Sequence, residues 1–170
     1  PEAIARYQAI LQKVPGHPTA LANLGKLFHR SKDWNGLLST YEAEAQSIDE
    51  PKQKATRIFK SAEVLEERLQ RVDEAISRYD EVLKLYPGYL PAQKALVRLY
   101  ERQGKWLELV AMYEQDLRQT TDREQQIQTL NRMSAIHEDR LSDLPQAIDC
   151  CKRVLEIAAD HFPTLRNLQR

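Results

Sequence analysis

Laid over itself at an offset of 72 residues, the chain repeats its own pattern position by position. Ala3, Ile4, Tyr7, Leu11, Pro15 and Gly16 fall on Ala75, Ile76, Tyr79, Leu83, Pro87 and Gly88. Leu24, Phe28, Trp34, Leu37 and Tyr41 fall on Leu96, Tyr100, Trp106, Leu109 and Tyr113, and Glu66-Glu67-Arg68-Leu69 returns as Glu138-Asp139-Arg140-Leu141. A third copy opens with Ala147, Ile148, Leu155 and Phe162. Small, aromatic and chain-breaking residues all keep step, which a chance match does not do. A chain patterned this way folds as an array of like units, each burying its apolar face against its neighbours.

The unit divides again. A small or aliphatic packing position recurs at Ala3, Leu37, Ala75, Leu109 and Ala147, in steps of 34, 38, 34 and 38. Within a unit the apolar residues return at spacings of three and four, as in Ala75, Ile76, Tyr79, Val82 and Leu83, which places them on one stripe of a helix; no stretch alternates as a strand would. Pro15-Gly16 and Pro87-Gly88 end helices, and Lys32-Asp33, Gly104-Lys105 and Ser142-Asp143 mark short corners, so neighbouring helices run antiparallel. At the longer joints Pro51 suits a first helical turn, and Thr121 with Glu124 three residues on has the form of a capping box.

The pattern predicts helices near 2–14, 18–31, 34–47, 51–69, 72–85, 90–103, 106–119, 122–141, 144–158 and 162–170. We expect one array over residues 1–170, with 1–14 and 162–170 as incomplete units. Because Pro1 opens inside an amphipathic helix, the sequence reads as a piece of a longer protein.

Here the pattern resembles the tetratricopeptide repeat, a helical hairpin of roughly 34 residues. The second-helix signature is met by Ala3-Tyr7-Ile10-Pro15 and most fully by Ala75-Tyr79-Val82-Pro87; the first-helix signature is met by Leu24-Gly25-Phe28 and, with a bulkier central residue, by Leu96-Val97-Tyr100. Departures are Leu37 and Leu109 for the expected Ala, and Cys151 and Ala159 for the aromatic and the Pro of the last unit. Ala62 and Ser134 fill the small position in the longer units. The resemblance implies an all-α, right-handed superhelix of stacked hairpins. It also implies a non-catalytic scaffold that binds a peptide or partner protein in its concave groove. The alternative is a structural spacer or homotypic assembly element stacking through its terminal helices.

In this family the first helix of each hairpin lines the groove. That geometry turns Thr19, Ala22, Asn23, Lys26, His29 and Arg30 inward, then Thr56, Phe59, Lys60, Glu63, Glu66 and Glu67, then Pro91, Lys94, Arg98, Glu101 and Arg102, then Asn131, Arg132, Glu138 and Asp139. The expected partner site is Asn23, Lys26, Arg30, Phe59, Lys60, Glu63, Lys94, Arg98 and Arg102. Its cations would pair with partner carboxylates, Asn23 would grip backbone, and Phe59 would seat an apolar anchor. Ala22 and Phe59 stand where a clamp for a terminal carboxylate would need polar groups, so a receptor of that kind is not expected. Trp34, Trp106 and the series Tyr7, Tyr41, Tyr79 and Tyr113 read as packing residues.

Other chemistries lack their residues. The chain holds 25 basic and 25 acidic side chains, and residues 1–85 alone hold 13 of each, which leaves no one-sign field to gather a nucleic acid. No stretch approaches the roughly 18 apolar residues of a membrane span. His17, His29, His137 and His161 are scattered without zinc-ligand spacing, no Gly-rich phosphate loop follows a strand, and the carboxylates lie on wet helix faces. No metal, cofactor or enzymatic role is therefore expected. Cys151 takes the place of Tyr79 and reads as a small buried hydrophobe, whereas Cys150 takes the place of Arg78 and is expected at the surface.

Overall fold

The computed structural model describes residues 2–168, and among them the chain is entirely helical and turn. The helices are α1 (Glu2–Lys13), α2 (Pro18–Ser31), α3 (Trp34–Gln46), α4 (Pro51–Glu67), α5 (Val72–Leu85), α6 (Leu90–Gln103), α7 (Trp106–Gln119), α8 (Arg123–Asp139), α9 (Leu144–Ile157) and α10 (Phe162–Leu168). Each predicted helix is present and ends within two residues of its expected bounds. The last two residues of the 162–170 expectation lie outside the described residues, as does Pro1.

The sequence starts and stops these helices by recognisable means. His17 Nδ1 accepts from the Ala20 N–H at 3.3 Å ahead of Pro18, and Asp33 Oδ1 accepts from the Gly36 N–H at 3.0 Å. The Glu50 carboxylate accepts from the Lys52 and Gln53 N–H groups ahead of Pro51. At α8 the expected Thr121–Glu124 box is replaced by a simpler cap: Asp122 Oδ1 accepts from the Glu124 N–H at 3.0 Å. A carboxylate directly before the first turn meets both the free N–H groups and the helix dipole, so Asp122 outcompetes Thr121. Among the described residues four take left-handed backbone, Lys32 (φ 58°), Gln70 (56°), Gly104 (67°) and Ser142 (53°). They fall into two pairs 72 residues apart, so the repeat extends to individual torsions.

The chain clusters into two units, Pro1–Leu99 and Tyr100–Arg170. In the first, α2 packs on α1 and α3, and α4 on α3 and α5. Leu21, Leu24 and Phe28 of α2, Leu37 and Leu38 of α3, Ile58 and Leu65 of α4, Ile76, Tyr79 and Val82 of α5, and Leu96 and Leu99 of α6 are buried. Each such side chain is worth roughly 1.5–3 kcal/mol of transfer free energy. Small residues let the helices close up. A Cβ on Gly36 would stand 2.6 Å from the Phe28 ring, so glycine there is what lets α3 approach α2. In the second unit α8 packs on α7 and α9, and Ile127, Leu130 and Val154 form a cluster flanked by Leu117, Ile157 and Ala158.

Three expectations about burial need correction. Cys150 is buried at 2% exposure, because Arg153 one turn on, not residue 150, reaches the neighbouring carboxylate Glu114. Glu66, expected in the groove, is buried at 5% and bonded inside the fold. The tyrosines divide: Tyr79 and Tyr113 are core, while Tyr7 and Tyr41 are only half-buried.

Candidate functional site

The first unit carries an open recess of about 470 Å³, lined by Ala22, Gly25, Lys26, His29 and Arg30 of α2, Tyr41 and Glu44 of α3, and Arg57 of α4. It exists because the α2 residues facing it include Ala22 and Gly25, which leave volume that longer side chains would fill. Seventy-two residues on, those places hold Lys94 and Val97. A smaller recess of about 150 Å³ shares His29 and Tyr41 and adds Lys60, Glu63, Val64, Glu67 and Arg68. The two form one depression running from α2 onto α4.

Lys26 and Arg30 lie one turn apart on the exposed side of α2, at the mouth of the larger recess. The Glu44 carboxylate at its back is ion-paired with Arg57 Nε at 3.1 Å, and its Oε2 is buried without a hydrogen-bond donor. Burial raises the Glu44 pKa above the ordinary carboxylate value, against the opposing pull of Arg57. In the smaller recess Lys60 Nζ sits 2.6 Å from Glu63, whose hydrogen bond holds the ammonium pKa above its usual value.

Sequence reasoning named nine partner residues. The fold places Lys26 and Arg30 together, and Phe59, Lys60 and Glu63 together. Phe59 is half-buried, with its ring 5.4 Å from that of Tyr79 and 5.2 Å from that of Tyr89, and Lys60 Nζ lies 5.9 Å from its centroid. It is thus part of an aromatic cluster with one face still partly open. Asn23 donates to the Tyr7 hydroxyl at 3.2 Å and so orients α1 against α2. Arg98 pairs with buried Glu66 at 2.8 Å, while Lys94 and, in the second unit, Arg102 are exposed. Trp34 and Trp106 each carry an arginine over the ring, Arg68 at 5.0 Å and Arg140 at 5.1 Å, an arrangement internal to each unit.

Arg57, Glu44 and Tyr41 were missed as site residues. Tyr41 and Glu44 stand three apart on α3, hence on one face, opposite the small residues Ala22 and Gly25 of α2. That combination of small residues on one helix and an i, i+3 polar pair on the next is the signal that marks the recess.

Family models of the tetratricopeptide repeat match residues 20–56 and 94–127, and a second such model matches 58–89, together more than half of the chain. Among solved structures, YrrB, described as "a TPR protein with an unusual peptide-binding site", is 12% identical over 98% of this chain and 82% of its own, with a TM-score of 0.50. MamA is 17% identical over 91% and 85%, with a TM-score of 0.47. TTC0263, a thermophilic TPR protein of Thermus thermophilus, is 16% identical over 96% and 86%, at 0.40. No curated protein matches the chain.

Proposed function

Because the chain belongs to the tetratricopeptide repeat family, a family of interaction scaffolds, we propose that its first unit holds a peptide or partner protein along the depression between α2 and α4. The observation that carries this reading is the depression itself: the groove-side faces of α2 and α4 leave a recess that the chain's own side chains do not fill, while the faces turned to α3 and α5 are buried. Lys60 and Glu63 line it and supply polar contacts, while half-buried Phe59 and exposed Lys94, outside the lining of the two recesses, would extend the contact along the groove face. Arg98 is better assigned to holding Glu66 than to gripping a partner.

The role is non-catalytic on this reading. Both cysteines are buried and unpaired, and burial pushes the Cys150 thiol up to about 11, so it stays a thiol at neutral pH and a poor nucleophile. Among the described residues no helix is long and apolar enough to cross a membrane.

Affinity capture with the wild-type chain and with the double reversal Lys60→Glu/Lys94→Glu tests the proposal. Proteins held by the wild type should be lost from the variant while its helical content and melting stay unchanged. Capture that is indifferent to the reversal and also to Phe59→Ala sinks it. Homotypic stacking is the second reading, favoured by exposed Phe162 (78%) and Leu144 (58%), and it predicts a concentration-dependent mass in sedimentation that Phe162→Ser abolishes.

A further inference from the structure

Resting on the groove reading above, we propose that the larger recess is a receptor for a single carboxylate side chain, an Asp or Glu of a peptide lying extended along α2 and α4. Three cations line it, Lys26, Arg30 and Arg57, together with His29, against one carboxylate, Glu44. Glu44, half-buried, has its ion pair with Arg57 at 3.1 Å and none with Lys26 or Arg30. Elsewhere in the unit Lys60 has Glu63 and Arg98 has Glu66, while Lys94 is exposed.

Lys26 and Arg30 stand at i and i+4 on one helix face, a spacing at which like charges repel; neither is ion-paired among the described residues. An arriving carboxylate relieves that repulsion and takes charge-assisted hydrogen bonds from both groups. The Tyr41 side chain forms part of the wall, and the recess volume suits a side chain with its flanking backbone, not a folded domain. Selectivity comes from the adjoining recess. There Glu63 and Glu67 balance Lys60 and Arg68, so a second carboxylate, or a nucleic-acid backbone, finds no net positive charge to match it one step along. The fitting ligand is an isolated acidic residue next to neutral or basic ones.

The test is an array of immobilised random 12-residue peptides with amidated C-termini, which removes the terminal carboxylate, probed with wild type, Lys26→Glu/Arg30→Glu and Lys26→Gln/Arg30→Gln. Wild-type binders should be enriched in one Asp or Glu and weaken about tenfold when that residue becomes Asn or Gln. The Gln variant should lose the preference and the charge-reversed variant should invert it toward Lys and Arg. Both positions are exposed, so helicity should hold; if the reversed protein melts early, the Gln variant decides. Binders without acidic enrichment, or enrichment that survives both variants, overturn the carboxylate receptor while the groove reading stands. Absence of any binder overturns both. Displacement by inorganic phosphate, but not by chloride of equal ionic strength, overturns it in favour of a small-oxyanion site.

Discussion

The α4–α5 pair of the first unit and the α8–α9 pair of the second stand 72 residues apart in one pattern, yet they bury different chemistry. On α5, Tyr79 is 1% exposed and donates to Glu66 Oε2 at 3.1 Å, and Arg98 completes the carboxylate's shell at 2.8 and 3.0 Å. On α9 the same place holds Cys151, and the counterpart of Glu66 is Glu138, which is exposed. Ser134, at the place of Ala62, fills the polar need there by donating to the Ala147 carbonyl at 3.1 Å and lying 3.3 Å from the Cys151 sulfur. The counterpart of Arg98 is Arg170, outside the described residues. A carboxylate at this helical position is therefore buried where a phenol reaches it and wet where none does. The repeat fixes where side chains stand and leaves open what satisfies them.

Replacing Tyr79 breaks this comparison most severely. Tyr79→Ala should destabilise by about 3–5 kcal/mol through lost burial and a cavity, with the added strain of a buried Glu66 missing a donor. Tyr79→Phe should cost about 1–3 kcal/mol from the unmade hydrogen bond alone. Cys151→Ala, by contrast, should stay near about 1 kcal/mol, since little volume is removed. Because units of such an array open separately, amide exchange on α4 and α5 is the measurement to use, with urea unfolding beside it. Equal losses at Tyr79 and Cys151 would show that the two pairs are energetically alike after all.

A second contrast lies between α3 with α5 and α7 with α9. Arg78 bonds both Glu42 and Glu81, whereas in the second unit Arg153 reaches Glu114 at 2.5 and 3.2 Å. Shifted by 72, Glu42 falls on Glu114, but Arg78 falls on Cys150 and Glu81 falls on Arg153. Positions i and i+3 adjoin on a helix, so an arginine from either can serve the same carboxylate. The Arg153 hydrogen bond holds Glu114 below its ordinary pKa, against partial burial. A carboxylate held low contributes stability that is full above its unfolded pKa near about 4.3 and is lost as pH falls through the folded value. Glu114→Gln should thus destabilise by about 1 kcal/mol at pH 7, a modest figure for a pair one-third exposed, and by nothing at pH 2. Arg153→Glu alone should be worse, and adding Cys150→Arg should restore most of the loss by rebuilding the first unit's arrangement. Additive losses in that double-mutant cycle would refute the exchange.

What the sequence made legible follows from how locally each feature is determined. Helix positions were readable because breakers and apolar spacing act within a few residues: Pro51, Gly104 and the Ala75–Ile76–Tyr79 stripe carry their own signals. The burial of Glu66 was not, because it depends on Tyr79, 13 residues away on another helix, and on Arg98, 32 away. Cys150 was misread for a related reason, since its surroundings are set by the displaced Arg153. Lys26 and Arg30 were found as groove cations, but the recess behind them required knowing that α3 brings Tyr41 and Glu44 opposite Ala22 and Gly25.

The smallest effect sharpens the comparison at the level of the backbone. Lys32 and Gly104 occupy equivalent corners with φ of 58° and 67°, and their N–H groups donate to the carbonyls of His29 and Glu101 at 3.2 Å in each case. A left-handed residue other than glycine is strained by about 1–2 kcal/mol. Glycine offsets part of that gain with roughly 0.5–1 kcal/mol of extra chain entropy lost on folding. Lys32→Gly should therefore stabilise by about 0.5 kcal/mol and Gly104→Lys should destabilise by a similar amount. A Cβ at Gly104 would meet only Trp106 Nε1, at an ordinary 3.6 Å, so that loss would be conformational and not steric. Thermal midpoints should move in opposite directions by about 1–2 °C. If both substitutions lower the midpoint, Lys32 contributes something at its corner beyond its torsion, and the two corners are alike in shape alone.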